Sequence, residues 1–299
     1  MQGDGILCNV YIIPRRKEFC NIMMTYKKKI PFEGSCCAVV TPFREGDMDY
    51  DSLGVLIDRQ INGGTAALVV CGTTGEAPSL SDDEYKEVVE YTVSRVSGRV
   101  PVIAGVGSAS TRHSAELSDI AAYAGADALL AVTPYYVKAS AEGLVRHYGE
   151  IAAVGLPVIL YNVPPRTGMI ITMPMYERLA DIPNIVGVKE ASGNVSVGME
   201  LAYAFGDRFA LYSGCDEINL PLAAIGFDGF ISVTANVVPE KVARLWHLWK
   251  SGEVIGAQKL DRELYPLTKS LFTEVNPIPV KKMLAEMGLC TGELRLPLW

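Results

Sequence analysis

The sequence predicts an α/β fold, a closed (β/α)8 TIM barrel with a small C-terminal helical domain, and three observations carry that expectation. From Gly34 onward, eight short runs rich in β-branched residues alternate with amphipathic stretches, the pattern of βαβ units around a parallel sheet. No long interruption breaks the alternation, and no GxGxxG follows the first run, which favours a closed barrel over an open doubly wound sheet. Three more helical stretches, at 239–251, 254–271 and 280–287, come after the eighth run.

In order, the strands are expected at 36–40, 67–71, 102–105, 128–132, 158–161, 185–189, 209–213 and 229–233. The helical periods between them fall at 51–62, 82–96, 111–124, 141–154, 175–180, 195–205 and 217–225. Ser81, Asp82, Asp83 and Glu84 form a capping box, which sets the start of one helix at 82. The barrel is expected over 32–238 and a shortened helical domain over 239–299. Residues 1–31 read as an N-terminal extension, either a disordered arm or an over-extended start with translation beginning at Met23 or Met24. They lack the basic start, continuous apolar core and small-residue cleavage site of an export signal.

A chain of 299 residues with 49% hydrophobic content can bury one large core. The net charge of -7, with no basic stripe beyond Lys27-Lys28-Lys29, argues against a nucleic-acid partner. No apolar run is long enough to span a bilayer. Small molecules and copies of the chain itself are the expected partners. The seven cysteines are odd in number, lack a CxxC pair and sit mostly in apolar runs such as Cys36-Cys37 and Cys71, the pattern of reduced buried thiols and a cytoplasmic protein.

In a barrel of this kind the chemistry sits where strands end. Lys189 closes the run Ile185-Val186-Gly187-Val188-Lys189, whose alternation puts Ile185, Gly187 and Lys189 on one face and Val186 and Val188 on the other. Its ammonium is driven toward an apolar interior, where desolvation favours the neutral amine that forms a Schiff base with a carbonyl. A lysine snorkelling to solvent would carry the same pattern. After the second strand, Gly72-Thr73-Thr74-Gly75-Glu76 offers converging N–H groups and two hydroxyls for a carboxylate, or simply a tight polar turn.

The loops TPYY (133–136) and YNVPPRTG (161–168) place tyrosines on either side of the lysine strand, as amphipathic core residues or as a proton relay. Arg166 either pairs with Glu76 or Glu190 or captures a substrate carboxylate. His113, His147 and His247 all fall in helical stretches rather than at successive strand ends, which speaks against a metal cluster.

These motifs, with VGVKEAS (186–192), GFISVTANV (229–237), NPIPVK (276–281) and LRLPL (294–298), resemble the dihydrodipicolinate synthase family. That family lies within the class I pyruvate-dependent aldolases, which also include N-acetylneuraminate lyase. The resemblance runs in order from Phe32 to Pro297. The lysine strand marks the superfamily, while Thr73-Thr74 and Arg166 point to this family, because sialic acid lyases favour a serine-threonine pair and lack the arginine.

The resemblance implies a lyase that condenses pyruvate with L-aspartate 4-semialdehyde, in diaminopimelate and lysine biosynthesis, without a metal or other cofactor, in a homo-oligomer of two or four chains. It implies that Lys189 forms the imine and that Thr73 and Thr74 hold the pyruvate carboxylate. Thr73, Tyr161 and Tyr136 would form the proton relay, Tyr136 reaching into a neighbouring subunit. Arg166 would bind the semialdehyde carboxylate, and Ile231 with Gly214 would shape the pocket wall.

Two alternatives stay open: another pyruvate-dependent aldolase acting on N-acetylneuraminate or a 2-keto-3-deoxy sugar acid, and a non-catalytic homologue. The chain also departs from the family pattern, with a longer start and an end at Leu298-Trp299 where relatives continue into one more helix, so apolar surface there is expected to be exposed. Relatives inhibited by lysine carry histidine, asparagine and glutamate at the positions matching Tyr85, Ala109 and His113. The resemblance therefore implies weak or absent lysine sensitivity.

Overall fold

The structure, a computed structural model, describes residues 30–299. The expected extension therefore lies almost wholly outside the described residues. The strands are β1 (Gly34–Ala38), β2 (Phe43–Arg44), β3 (Asp47–Met48), β4 (Ala67–Val70), β5 (Val102–Gly105), β6 (Ala128–Val132), β7 (Val158–Asn162), β8 (Ile185–Glu190), β9 (Ala210–Ser213) and β10 (Gly229–Ser232). β1 and β4–β10 form a closed parallel barrel in sequence order, with β10 pairing back onto β1. β2 and β3 make a small antiparallel hairpin that no run in the sequence announces. At two residues each, they are too short to show a period.

The helices are α1 (Tyr50–Asn62), α2 (Asp82–Val96), α3 (Thr111–Tyr123), α4 (Ala141–Ala152), α5 (Pro164–Thr167), α6 (Met173–Ala180), α7 (Val195–Phe205), α8 (Asn219–Ala224), α9 (Pro239–Lys250), α10 (Val254–Ser270) and α11 (Ile278–Glu286). Both halves of the capping box form at the start of α2: Ser81 Oγ accepts from Glu84 N and Glu84 accepts from Ser81 N. The stretch expected as one helix over 217–225 is instead a 3₁₀ turn at Asp216–Ile218 followed by α8. None of the helices of the described residues is long and apolar enough to cross a membrane.

Two apolar layers follow from strand alternation. Inside the barrel lie Cys36, Ala38, Val69, Ile103, Leu130, Ile159, Tyr161, Tyr212 and Ile231; between barrel and helices lie residues such as Leu68, Leu129, Leu160, Val188 and Leu211. Phe32 stacks on Tyr212 with ring centroids 4.2 Å apart, and the Tyr212 hydroxyl donates to the Phe32 carbonyl at 2.9 Å. β8 corrects the simple alternation. Its register against β7 shifts by one residue after Ile185, a bulge that turns Ile185 into the outer layer while Gly187 pairs with Ile159 and Lys189 with Tyr161. β8 thus adds no aliphatic side chain to the inner cluster.

α9 packs on β1 and α1, with Trp246 edge-on to Phe230 at 5.3 Å, and so takes the place of the eighth barrel helix. A third apolar cluster joins Val40, Val233 and Val237, beyond the strand ends, to Leu271, Val280 and Leu284 of the C-terminal segment. That cluster seats α11 beside the mouth where the chemistry is expected.

Candidate active site

Lys189 projects from β8 into the mouth end of the barrel interior and is 6% exposed. Its Nζ lies 4.3 Å from the centre of the Tyr161 ring, the residue beside it in register on β7. Among the described residues its ammonium makes no hydrogen bond or ion pair, so the amine is held by packing and left open to a ligand. Gly214, just after β9, makes room for it: a Cβ there would stand 2.8 Å from Lys189 Cε and 3.0 Å from Cγ. Cys36 lies below, where burial pushes its thiol up despite the opposing pull of Lys189, keeping it neutral.

The loop after β4 is a tight turn in which Gly75 N and Glu76 N donate to the carbonyls of Gly72 and Thr73, both at 3.1 Å. Gly75 is tightly enclosed, since a Cβ would meet Cys71 N at 3.1 Å and Val39 O at 3.2 Å. Thr74 is buried and its Oγ1 accepts a hydrogen bond from Asn276 Nδ2 at 2.9 Å. With that lone pair taken, the Thr74 hydroxyl proton is free for an anion. Thr73 is half-buried and faces the neighbouring cavity.

Arg166 sits on the single-turn helix α5, which begins with Pro164-Pro165 and ends on Gly168 at φ 69°. Neither carboxylate considered from sequence is its partner. Glu76 pairs with Lys281 at 2.7 Å, and Glu190 is turned outward to accept from Asn162 Nδ2 at 2.7 Å and Ser192 N at 2.6 Å. Arg166 donates instead to the Asn276 carbonyl at 3.3 Å, which leaves most of the guanidinium's donors for a ligand.

Two cavities share Tyr161, Val163 and Arg166 as a common wall. One, of about 260 Å³, holds Lys189, Thr74, Gly214 and Asn276; the other, of about 210 Å³, holds Thr73 and Tyr135. Ile231 lies in the barrel interior beneath, paired with Cys36, rather than on either cavity wall. Tyr136 is also outside both: it is 91% exposed and held at φ 72°, a backbone region costly for a bulky residue. The three histidines fall in α3, α4 and α9, and none of them lines either cavity.

Sequence reading passed over Asn276 and Tyr135. Tyr135 stood in the quoted TPYY motif beside the tyrosine chosen, and the NPIPVK motif contained Asn276 with nothing local to say that it meets Thr74. Gly105 and Gly107 were also missed. Side chains there would run into Cys71 O at 2.1 Å and Val132 Cγ1 at 2.4 Å, so these glycines, which border the second cavity, let the neighbouring strand ends approach closely.

A barrel with a buried lysine and a facing tyrosine at its C-terminal mouth is an enzyme of the lyase class that works through a class I aldolase route. Residues 31–299 match the model of the dihydrodipicolinate synthetase family, and the chain belongs to that family. A 4-hydroxy-tetrahydrodipicolinate synthase of Thermodesulfovibrio yellowstonii is 49% identical over 268 residues, covering 89% of this chain and 92% of the relative. One from a Thermoanaerobacter species is 46% identical over 269 residues, covering 89% and 91%. Among solved structures, dihydrodipicolinate synthase from Aquifex aeolicus superposes with a TM-score of 0.88 at 41% identity, covering 90% of this chain and 92% of that one. The Acinetobacter baumannii enzyme, solved in complex with pyruvate, gives 0.87 at 45%, covering 89% and 92%.

Proposed function

We propose that the chain is a 4-hydroxy-tetrahydrodipicolinate synthase that condenses pyruvate with L-aspartate 4-semialdehyde through an imine on Lys189. The observation that carries this reading is the buried Lys189 amine, without a hydrogen bond or ion pair among the described residues and 4.3 Å from the Tyr161 ring, in a member of this family. The Lys189 amine adds to the pyruvate carbonyl carbon, and loss of water, with proton transfer by Tyr161, leaves a protonated imine. That imine is an electron sink. A methyl proton leaves to give an enamine, whose carbon attacks the aldehyde of the second substrate, and the aldehyde oxygen takes up a proton. The acceptor's own amine then adds to the imine carbon, closes the ring and displaces Lys189. No step calls for a metal or a cofactor.

Thr73 and Thr74 bind the pyruvate carboxylate from the turn after β4, and Arg166 binds the carboxylate of the semialdehyde across the shared wall. Gly214 and Val233, the residue just past the strand that holds Ile231, border the pocket and set its width. Exposed Tyr136 and its half-exposed neighbour Val137 support an oligomer in which Tyr136 completes the relay in a second copy. The free thiols Cys36, Cys37, Cys71, Cys215 and Cys290 support a reducing, cytoplasmic setting.

One comparison tests the reading. Pyruvate with aspartate semialdehyde, followed by a coupled reductase, is expected to turn over, whereas pyruvate with N-acetylmannosamine is not. The reverse preference would assign the chain to a sugar-acid lyase, and silence in both assays to a non-catalytic homologue.

A further inference from the structure

We infer that Glu76 and Lys281 are positioning residues for the pyruvate site: the C-terminal segment sets the place of the carboxylate-binding turn through their buried ion pair, assisted by Asn276. This rests on the reading above that Thr73 and Thr74 hold the pyruvate carboxylate. The contacts form a continuous chain. Lys281 on α11 is fully buried, donates to Glu76 Oε1 at 2.7 Å and to the Thr41 carbonyl at 2.8 Å, and lies over the Phe43 ring at 4.3 Å. The other Glu76 oxygen accepts from Arg295 N at 3.1 Å. Thr41 Oγ1 donates to the Gly75 carbonyl at 2.7 Å, and Asn276 Nδ2 donates to Thr74 Oγ1. Residues 74, 75 and 76 are thus each tied to a group outside the turn, two of them to the C-terminal segment.

The turn cannot place itself. Its internal bonds are the short-range ones from Gly75 and Glu76 back to Gly72 and Thr73, which shape it without fixing its position relative to β8. Glu76 is held at φ 53°, an uncommon region for a residue with a side chain, and its carboxylate is the handle that holds it there. A buried ion pair adds little net stability over well-packed apolar side chains of the same volume. What it adds is geometry: one ammonium reaches both the end of β1 and the turn after β4, and a misplacement of about 1 Å near a reacting group can cost on the order of a hundredfold in rate.

The test separates positioning from folding. Lys281→Met alone leaves the Glu76 carboxylate buried and unpaired, so it lowers the melting midpoint whatever the role of the pair. The double variant Glu76→Gln with Lys281→Met removes that uncompensated charge and is expected to recover most of the midpoint, yet to keep a pyruvate KM raised about tenfold or more. The semialdehyde KM is expected to move by less than about threefold. A double variant with recovered midpoint and normal pyruvate KM overturns the inference. Asn276→Ala, which leaves the ion pair intact, is expected to raise the pyruvate KM about threefold to tenfold, and an unchanged value counts equally against it. Borohydride trapping of pyruvate on the unaltered chain checks the underlying reading by itself. No adduct there removes the functional assignment, whereas an adduct with unaltered pyruvate dependence in both variants removes only the positioning role.

Discussion

Two lysines lie buried near the barrel mouth, and their surroundings are opposite. Lys281 is on a helix, fully enclosed, and its ammonium is satisfied by a carboxylate, a carbonyl and an aromatic face. Lys189 is on a strand, nearly as buried, and among the described residues its ammonium finds only the Tyr161 ring. Burial of both charges is costly, but only at Lys281 does the protein compensate within its own structure. The difference teaches that burial alone does not mark a reactive lysine. The mark is burial with the polar partners withheld, beside a cavity that admits a ligand.

The widest separation between the two is expected on replacing each. Lys189→Ala should reduce turnover by at least about a thousandfold and abolish borohydride trapping of pyruvate, with the melting midpoint unchanged or raised. Peptide mapping should find the pyruvate carbons on Lys189; an adduct on Lys138 or Lys281 would erase the distinction. Lys281→Met should do the converse in its primary effect, losing about 3 to 5 kcal/mol in chemical denaturation because Glu76 is left uncompensated.

Arg166→Ala sharpens the contrast between the two sides of the cleft. Catalytic efficiency with the semialdehyde should fall by about 2 to 4 kcal/mol, while pyruvate trapping on Lys189 largely survives. An unchanged dependence on semialdehyde would take Arg166 out of the site.

His147 is a third buried base, on α4 and outside both cavities, and among the described residues its hydrogen-bond partner is Thr111 Oγ1 at 2.9 Å. Burial brings its imidazole down from 6.5 to about 4. Between those values the unfolded chain takes up a proton that the folded chain refuses. The stability that the neutral ring contributes is therefore complete above the unfolded value and is lost as pH falls through the folded one. His147→Gln should flatten stability over that window by at most about 3 kcal/mol, measured by denaturation from pH 7 to 4. A parallel pair of curves would show that the ring is protonated in place.

The smallest effect is expected from L-lysine. Tyr85 and His113 line a cavity of about 40 Å³ with Tyr135 and Asp82, and His113 Nε2 stands 3.7 Å from Asp82 Oδ1. Among the described residues the buried Tyr85 hydroxyl has no partner, and Ala109 beside this cavity has no hydrogen-bonding side chain. A titration at subsaturating pyruvate should show little inhibition; half-inhibition below about 1 mM, some 4 kcal/mol of binding, would contradict the expectation.

Much of this was legible in the chain, for reasons that can be named. Ala128–Val132 and Val102–Gly105 appear where expected, because a buried parallel strand is a short apolar run with few ways to be misread. Asp82–Val96 begins on its capping box for a similarly local reason. Lys189 was legible despite the bulge, because the slip at Ile185 occurs upstream and leaves the last positions in step. What stayed hidden was long-range. Thr74 and Asn276 are 202 positions apart and Glu76 and Lys281 are 205, and no periodicity connects them. The wrong partners for Arg166 share that origin: both carboxylates were near enough in the barrel plan, but their destinations depended on a segment whose seat the pattern does not specify. The short helix Pro164–Thr167 carried its signals, prolines at the start and Gly168 at the end, in too few residues for a period to show.

Gly214 bears on how such a pocket can change over generations or in the hands of an engineer. The space that a methyl group would take there is the space the Lys189 side chain already occupies. Enlarging or recolouring the cleft can proceed through Cys215, Val163 or Phe272, which border the same cavity without crowding the lysine stem. Position 214 has no such latitude. The narrowest choice in the pocket is thus made by the absence of a side chain, at a residue that touches neither proton nor carboxylate, and a library that varies the wall freely should leave it alone.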